Sequence, residues 1–196
     1  MASDLRISLD LEEVWATIVK QHSRKIDLIQ INENNYSLHL SDVGLNARMV
    51  KRFEEDKMRG RFGYLRQFLK ELPQSKMLKY DLVVDRNNRF RGTAYMVVLA
   101  NAREYGTGAI INPLGELDDG RFEVCLVKSI SLRAMVKALV SIFKKDIKYD
   151  TLLVHSCKEA QITFSKKQVL QVDGEVIGEV EEVDARVVPR CINFLV

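Results

Sequence analysis

The sequence predicts an α+β domain with a dominant antiparallel, sandwich-like β core. Two observations carry that expectation. About ten stretches run or alternate apolar over strand length, and only three or four stretches with helical spacing are set between them, without the regular alternation of parallel α/β winding. A third observation sets the partition: with no Pro/Ser-rich linker, internal repeat or low-complexity tract, residues 1–196 read as a single domain.

In residues 11–21 the apolar side chains Leu11, Val14, Trp15 and Ile18 recur at helical spacing, and Asp10 stands where an N-cap is needed. Residues 25–31 read as a strand, 32–35 as a turn and 36–40 as the returning strand, with Tyr36, Leu38 and Leu40 on one side. Two helices come next, 45–56 and 61–72, separated near Gly60 and closed by Pro73. Residues 79–85 alternate cleanly, 85–88 supply turn chemistry, and 90–101 return as a strand that is apolar on both faces at its centre. The segment 101–120 holds four of the ten glycines and is expected to be irregular. Then come a strand at 122–127 and an amphipathic helix at 132–143 with Ser131 as its cap. Six short strands complete the chain: 152–157, 160–164, 169–172, 176–180, 185–188 and 191–196.

Composition narrows the function. Thirty Lys and Arg against 27 Asp and Glu leave a net charge of +3, too little to drive nucleic-acid or membrane binding by charge alone. The basic run of Lys51, Arg52, Lys57, Arg59, Arg61 and Arg66 is interrupted by Glu54, Glu55 and Asp56, which argues against nucleic acid as a partner. The longest apolar stretch, 94–100, is far short of the roughly twenty residues a bilayer span requires. The N-terminus lacks the charged-then-apolar pattern of a signal peptide, so cytoplasmic residence is the expectation. Cys125, Cys157 and Cys191 are odd in number and lie in apolar runs, as expected of buried, reduced thiols. His22, His39 and His155 are scattered and offer no ligand spacing; they read as structural.

There is no G-x-x-x-x-G-K-[ST] loop, G-x-G-x-x-G, H-E-x-x-H or C-x-x-C. Three segments could carry chemistry. Leu117-Asp118-Asp119-Gly120 could aim one carboxylate and several main-chain carbonyls at a hard cation, or be an ordinary Asp-Gly turn leading into a strand. Asp173-Gly174-Glu175 could present a carboxylate as a general base, or be a plain hairpin turn. The stretch from Arg61 to Leu72 pairs an apolar face of Phe62, Leu65, Phe68, Leu69 and Leu72 with basic Arg59, Arg61, Arg66 and Lys70; it could lie on anionic lipid, or pack into the core.

Taken in order, these pieces resemble the C-terminal domain of the diacylglycerol-kinase-like lipid kinases, a bacterial family related in fold to NAD kinase. The segment 101–120 resembles that family's glycine-rich stretch ending in L-D-D-G, and Gln171-Val-Asp-Gly-Glu175 resembles its late Q-x-D-G-E motif. Upstream, Lys25-Ile-Asp-Leu28 and Ser41-Asp-Val-Gly44 sit where the family has an I-D-L strand and an S-x-G turn. The G-G-D-G and G-T-x-N-D-F motifs of the family's N-terminal half are absent, and residues 2–12 resemble the family's sequence just past the junction between the halves. An excised C-terminal domain with a supplied start methionine is therefore expected.

The resemblance implies a Mg2+ or Ca2+ site formed by the Asp119 carboxylate and the main-chain oxygens of Glu116 and Arg121. The family usually has an apolar residue at the position of Arg121, but only its carbonyl would bind metal. It also implies Glu175 as the general base toward a lipid hydroxyl, with Asp173 assisting through water. ATP would be held mainly by the absent N-terminal nucleotide-binding domain, so the isolated chain is expected to fold and to transfer no phosphate. The expected function is the lipid-acceptor side of an ATP-dependent kinase for diacylglycerol or a similar lipid alcohol, cytoplasmic, with peripheral membrane contact through the helix from Arg61 to Leu72. A stand-alone lipid- or partner-binding module is the alternative.

Overall fold

In the computed structural model the described residues are 2–5, 7–8, 10–45, 47–48, 50, 76–104, 110–129 and 152–196. The helix expectations at 61–72 and 132–143 lie outside them, as does most of 45–56. Two helices and ten strands are described: α1 (Ala2–Leu5), α2 (Leu11–Lys20), β1 (Ser23–Ile31), β2 (Asn35–Ser37), β3 (Leu40–Gly44), β4 (Leu78–Val84), β5 (Asn88–Ala94), β6 (Met96–Ala100), β7 (Phe122–Val127), β8 (Leu152–Cys157), β9 (Glu159–Val172) and β10 (Glu175–Leu195).

Helix α2 starts as its sequence dictates: the Asp10 carboxylate accepts the amides of Glu12 and Glu13. None of its side chains is buried, however, and Leu11, Trp15, Ile18 and Val19 form an uncovered apolar face. Helix α1, a single turn, has no signal long enough to be read from periodicity.

The strands join in the order β2-β1-β10-β9-β3-β6-β7-β8, with β4 pairing β9 and β5 pairing β4, and every pairing is antiparallel. One strand serves two layers. The first half of β9 pairs with β4, from Val84 opposite Ala160 to Tyr80 opposite Phe164, while its second half pairs with β3 through Leu170 and Val172. Between the layers lies the main core, in which Val43, Val97, Leu99, Val124 and Leu126 face Leu78, Leu82, Ile162, Phe164 and Val183. A second cluster, Leu40, Val98, Ala100, Ile111, Cys125 and Val127, lines the other face of β3, β6 and β7. This is the β-rich sandwich the sequence predicts.

The strand boundaries depart from expectation in three places, each for a local reason. The returning strand at 36–40 stops after Ser37; residues 38 and 39 bend, and Leu40 opens a new strand in another part of the sheet, because the amides of Leu38, His39 and Leu40 are taken by the Asp173 carboxylate. The strand at 90–101 is two strands split at Tyr95, whose amide and carbonyl bond Val127 and Leu45. Gly44 turns the chain there with φ +116°; a Cβ on it would stand 2.6 Å from the Tyr95 carbonyl oxygen, so only glycine fits. Finally, five of the six predicted late strands merge into β9 and β10. Their polar and glycine interruptions include register shifts at Val176/Gly178 and Val180/Glu182, and Arg190 with φ 50°; these are bends in a continuous strand rather than turns.

Cys125 and Cys157 are free and buried, and burial pushes both thiols well above the usual range. Cys191 departs from the expectation: it is exposed on the outer part of β10. His39 and His155 are held below the usual imidazole range, chiefly by burial, and the His155 ring lies 4.0 Å from that of Phe90. No helix among the described residues is long and apolar enough to cross a membrane.

Candidate functional site

The β9–β10 hairpin closes through the two-residue turn Asp173-Gly174, both at positive φ (49° and 97°), as such turns require. Two independent anchors hold it. On one side the Asp173 carboxylate accepts the Ser37 hydroxyl at 2.8 Å and the amides of Leu38, His39 and Leu40 at 2.7, 3.0 and 3.0 Å. On the other, the Gly174 amide donates to Gln171 Oε1 at 2.6 Å, Gln171 Nε2 donates to Asp42 Oδ2 at 2.5 Å, and Asp42 Oδ1 accepts the Ala47 amide at 2.9 Å. Asp42 and Gln171 are both buried. Glu175, the first residue past the turn, is exposed, and no described residue bonds its carboxylate. The turn is thus rigid where it is anchored and leaves one acid group available to an incoming proton donor. Asp173, by contrast, accepts four protein donors, three on Oδ1 and one on Oδ2, and acts here as the anchor of residues 37–40.

The L-D-D-G loop is built around a different residue, Asp27. Its carboxylate, fully buried, accepts the amides of Gly120 and Arg190, each at 2.7 Å, and its own amide donates to the Leu117 carbonyl at 2.7 Å. Asp118 makes a bidentate pair with Arg24 at 2.7 and 2.5 Å, and this hydrogen-bonded pairing holds its carboxyl below the usual range. Asp119 is exposed and accepts the Arg121 amide at 2.9 Å. The Arg121 side chain leaves the loop and grips the end of β8, donating to the Ser156 hydroxyl at 2.9 Å and its carbonyl at 2.8 Å. Beneath lies Glu123, buried and bonded by Asn112 Nδ2 at 2.6 Å; burial raises its carboxyl above the usual range, and the Asn112 bond only partly offsets this.

Asp119 and the main-chain oxygens of Glu116 and Arg121 are all oxygen donors, the ligand type a hard cation takes. The set contains a single carboxylate. Among the described residues no three His, Cys, Asp or Glu side chains converge as a metal cluster would.

The two motifs share a scaffold. Residues 38–40, pinned by Asp173, also accept the Asn101 and Ala102 amides on the His39 carbonyl, and Asn101 Nδ2 bridges the carbonyls of Leu38 and Asp27. One hydrogen-bonded path therefore runs from the Asp173 turn through 38–40 and Asn101 to Asp27 and the Gly120 loop. Sequence reasoning missed Asp27, Asp42, Asn101 and Gln171 as structural hubs. A separate open cleft of about 710 Å³, with Arg86, Glu159 and Arg186 in its wall, lies at the opposite end of the β9–β10 pairing from Glu175.

A sheet sandwich ending in a pinned acidic turn defines the class of protein: a β domain that presents a carboxylate on a turn linked through hydrogen bonds to an acidic loop. Residues 41–196 match the family described as the YegS C-terminal NAD kinase beta sandwich-like domain, and the chain belongs to that family. Its relatives include a diacylglycerol kinase of Staphylococcus haemolyticus, 24% identical over 180 residues, which cover 89% of this chain and 53% of the relative. A Yersinia pestis protein named "Probable lipid kinase YegS-like" is 23% identical over 179 residues, covering 90% of this chain and 59% of its own. A crystal structure of a diacylglycerol kinase from Bacillus anthracis superposes with a TM-score of 0.70 at 13% identity, covering 99% of this chain and 61% of that one. The chain thus spans between half and two thirds of the length of these proteins.

Proposed function

We propose that this chain forms the acceptor-side part of an ATP-dependent lipid kinase, acting on the hydroxyl of diacylglycerol or a similar lipid alcohol. The observation that supports this best is the exposed Glu175, bonded by no described residue, on a doubly anchored turn in a domain whose relatives are lipid kinases. In this reading Glu175 takes the hydroxyl proton as the lipid oxygen attacks the γ-phosphorus of ATP, and ADP leaves. Asp173 shapes the site by holding residues 37–40, and any proton it relays passes through water. Asp119 and the carbonyls of Glu116 and Arg121 would hold Mg2+ or Ca2+, separate from the magnesium that accompanies ATP, and such an ion would stiffen the loop. ATP is held by an N-terminal nucleotide-binding domain, and contact with the membrane is peripheral.

A hybrid tests the proposal. This chain replaces the matching part of the Staphylococcus haemolyticus diacylglycerol kinase, and phosphate transfer from ATP to diacylglycerol in vesicles is followed. Transfer is expected, with Glu175→Gln lowering kcat by about a hundredfold or more. A folded, ATP-binding hybrid that transfers nothing, or one indifferent to Glu175→Gln, would refute the assignment. This chain alone is expected to transfer no phosphate.

A further inference from the structure

A carboxylate offers only acceptors, whereas a primary amide offers two donors at one end and an acceptor at the other. That asymmetry gives the buried Asp42–Gln171 contact a direction. Because Gln171 lies against the Asp42 carboxylate, it must present its NH2 group there, and its carbonyl oxygen then has no choice but to face the Gly174 amide. Asp42 also receives the Ala47 amide, at the start of the helical residues beyond β3. Donors on both sides thus run toward one buried acid.

We infer that Asp42 and Gln171 are positioning residues: Asp42 fixes which way the Gln171 amide points, and Gln171 thereby locks the Gly174 amide and the turn from which Glu175 projects. The relay is independent of the Asp173 anchor, which grips residues 37–40 and not the Gly174 amide. Its relevance to catalysis rests on the reading of Glu175 as the base; the relay itself does not.

The directional argument makes a reciprocal test possible. Asp42→Asn leaves one carbonyl oxygen between the Gln171 and Ala47 donors, so a donor must face a donor at Ala47, at Gln171 or, if Gln171 turns over, at Gly174. Gln171→Glu sets two carboxylates against each other inside the protein. Combined, the exchanges restore the pattern with shape and net charge conserved. The amide now at position 42 donates to the carboxylate now at position 171, whose second oxygen accepts from Gly174. Position 42 keeps its carbonyl oxygen as an acceptor for the Ala47 amide.

The measurement is amide hydrogen exchange by NMR on the 15N-labelled chain, reading Gly174 against amides of β7 as monitors of the whole fold. Each single variant is expected to speed Gly174 exchange by about tenfold relative to β7, and the double variant to bring it back within about threefold of the parent. Unchanged Gly174 exchange in both singles, or a double no better than the worse single, would overturn the relay. Should a single variant unfold, the double decides: a folded double with a protected Gly174 supports the relay, and an unprotected one rejects it. No lipid or nucleotide is present, so this result stands apart from the hybrid kinase assay. In that hybrid, kcat should show the same loss and recovery.

Discussion

The Asp173-Gly174 turn and the Leu117–Gly120 loop are both acidic and both carry a family motif, yet they are stabilised in opposite ways. The turn is held by neutral partners, namely main-chain amides, one serine hydroxyl and one glutamine, so among the described residues its anchoring uses no cation and none pairs with Glu175. In the loop, Arg24 neutralises Asp118 and the Arg121 side chain ties the next strand to β8. An acid that must accept a proton is served by the first arrangement. A loop that must keep its shape beside several carboxylates is served by the second, and it leaves only Asp119 for an added cation.

The comparison can be broken at graded strengths. Asp27→Ala should have the largest effect, since it empties a fully buried site and takes the shared acceptor from the part-buried amides of Gly120 and Arg190; a loss of about 3 kcal/mol is expected in urea unfolding. Asp173→Ala should cost about 2 kcal/mol, because the four donors it releases are nearer solvent, and Asp173→Asn, which tolerates the same φ, should cost less.

Glu123→Gln sharpens the loop side through pH. The folded-state carboxyl of Glu123 is raised, so its ionisation is favoured in the unfolded chain, and stability falls as pH rises from the usual carboxylate range through the raised value. The glutamine variant lacks that loss. Thermal melts should therefore show the two proteins closest at pH values below the usual carboxylate range, with the variant gaining on the parent as pH increases.

Arg24→Ala should change stability by less than about 1 kcal/mol, since the pair is partly solvent-exposed, and added salt should shrink the effect further. It should also enlarge the rise in Tm caused by Ca2+, because Asp118 is freed beside Asp119; an unchanged Ca2+ response would remove the charge-compensation argument. Smallest of all, Glu175→Gln should leave the melting temperature where it was, an exposed side chain that no described residue bonds having little to lose.

Much of this was legible from residues. The Asp-Gly pairs announced both turns, Asp10 announced its helix, and the apolar runs of β6 and β7 announced central strands. Long strands were harder: glycine and paired acids at 178–182 look like a turn in one dimension and act as bulges once a neighbouring strand carries the chain through them. The hubs left a weaker signal. Asp27 between Ile26 and Leu28, and Gln171 between Leu170 and Val172, are single polar residues inside apolar runs, which marks them as buried but cannot say what they hold. Their partners come from distant parts of the chain, Gly120 for Asp27 and Asp42 for Gln171, and only folding brings them together.

The pairing of β1 with the last stretch of β10 has a consequence for synthesis. Ser23 meets Leu195, and Ile31 meets Ala185, so β1, paired early with β2 along one edge, has no partner on its other edge until β10 has left the ribosome. The early hairpin must wait with an open edge, and its apolar side chains stay available to chaperones or to a neighbouring nascent chain until β10 arrives to close it.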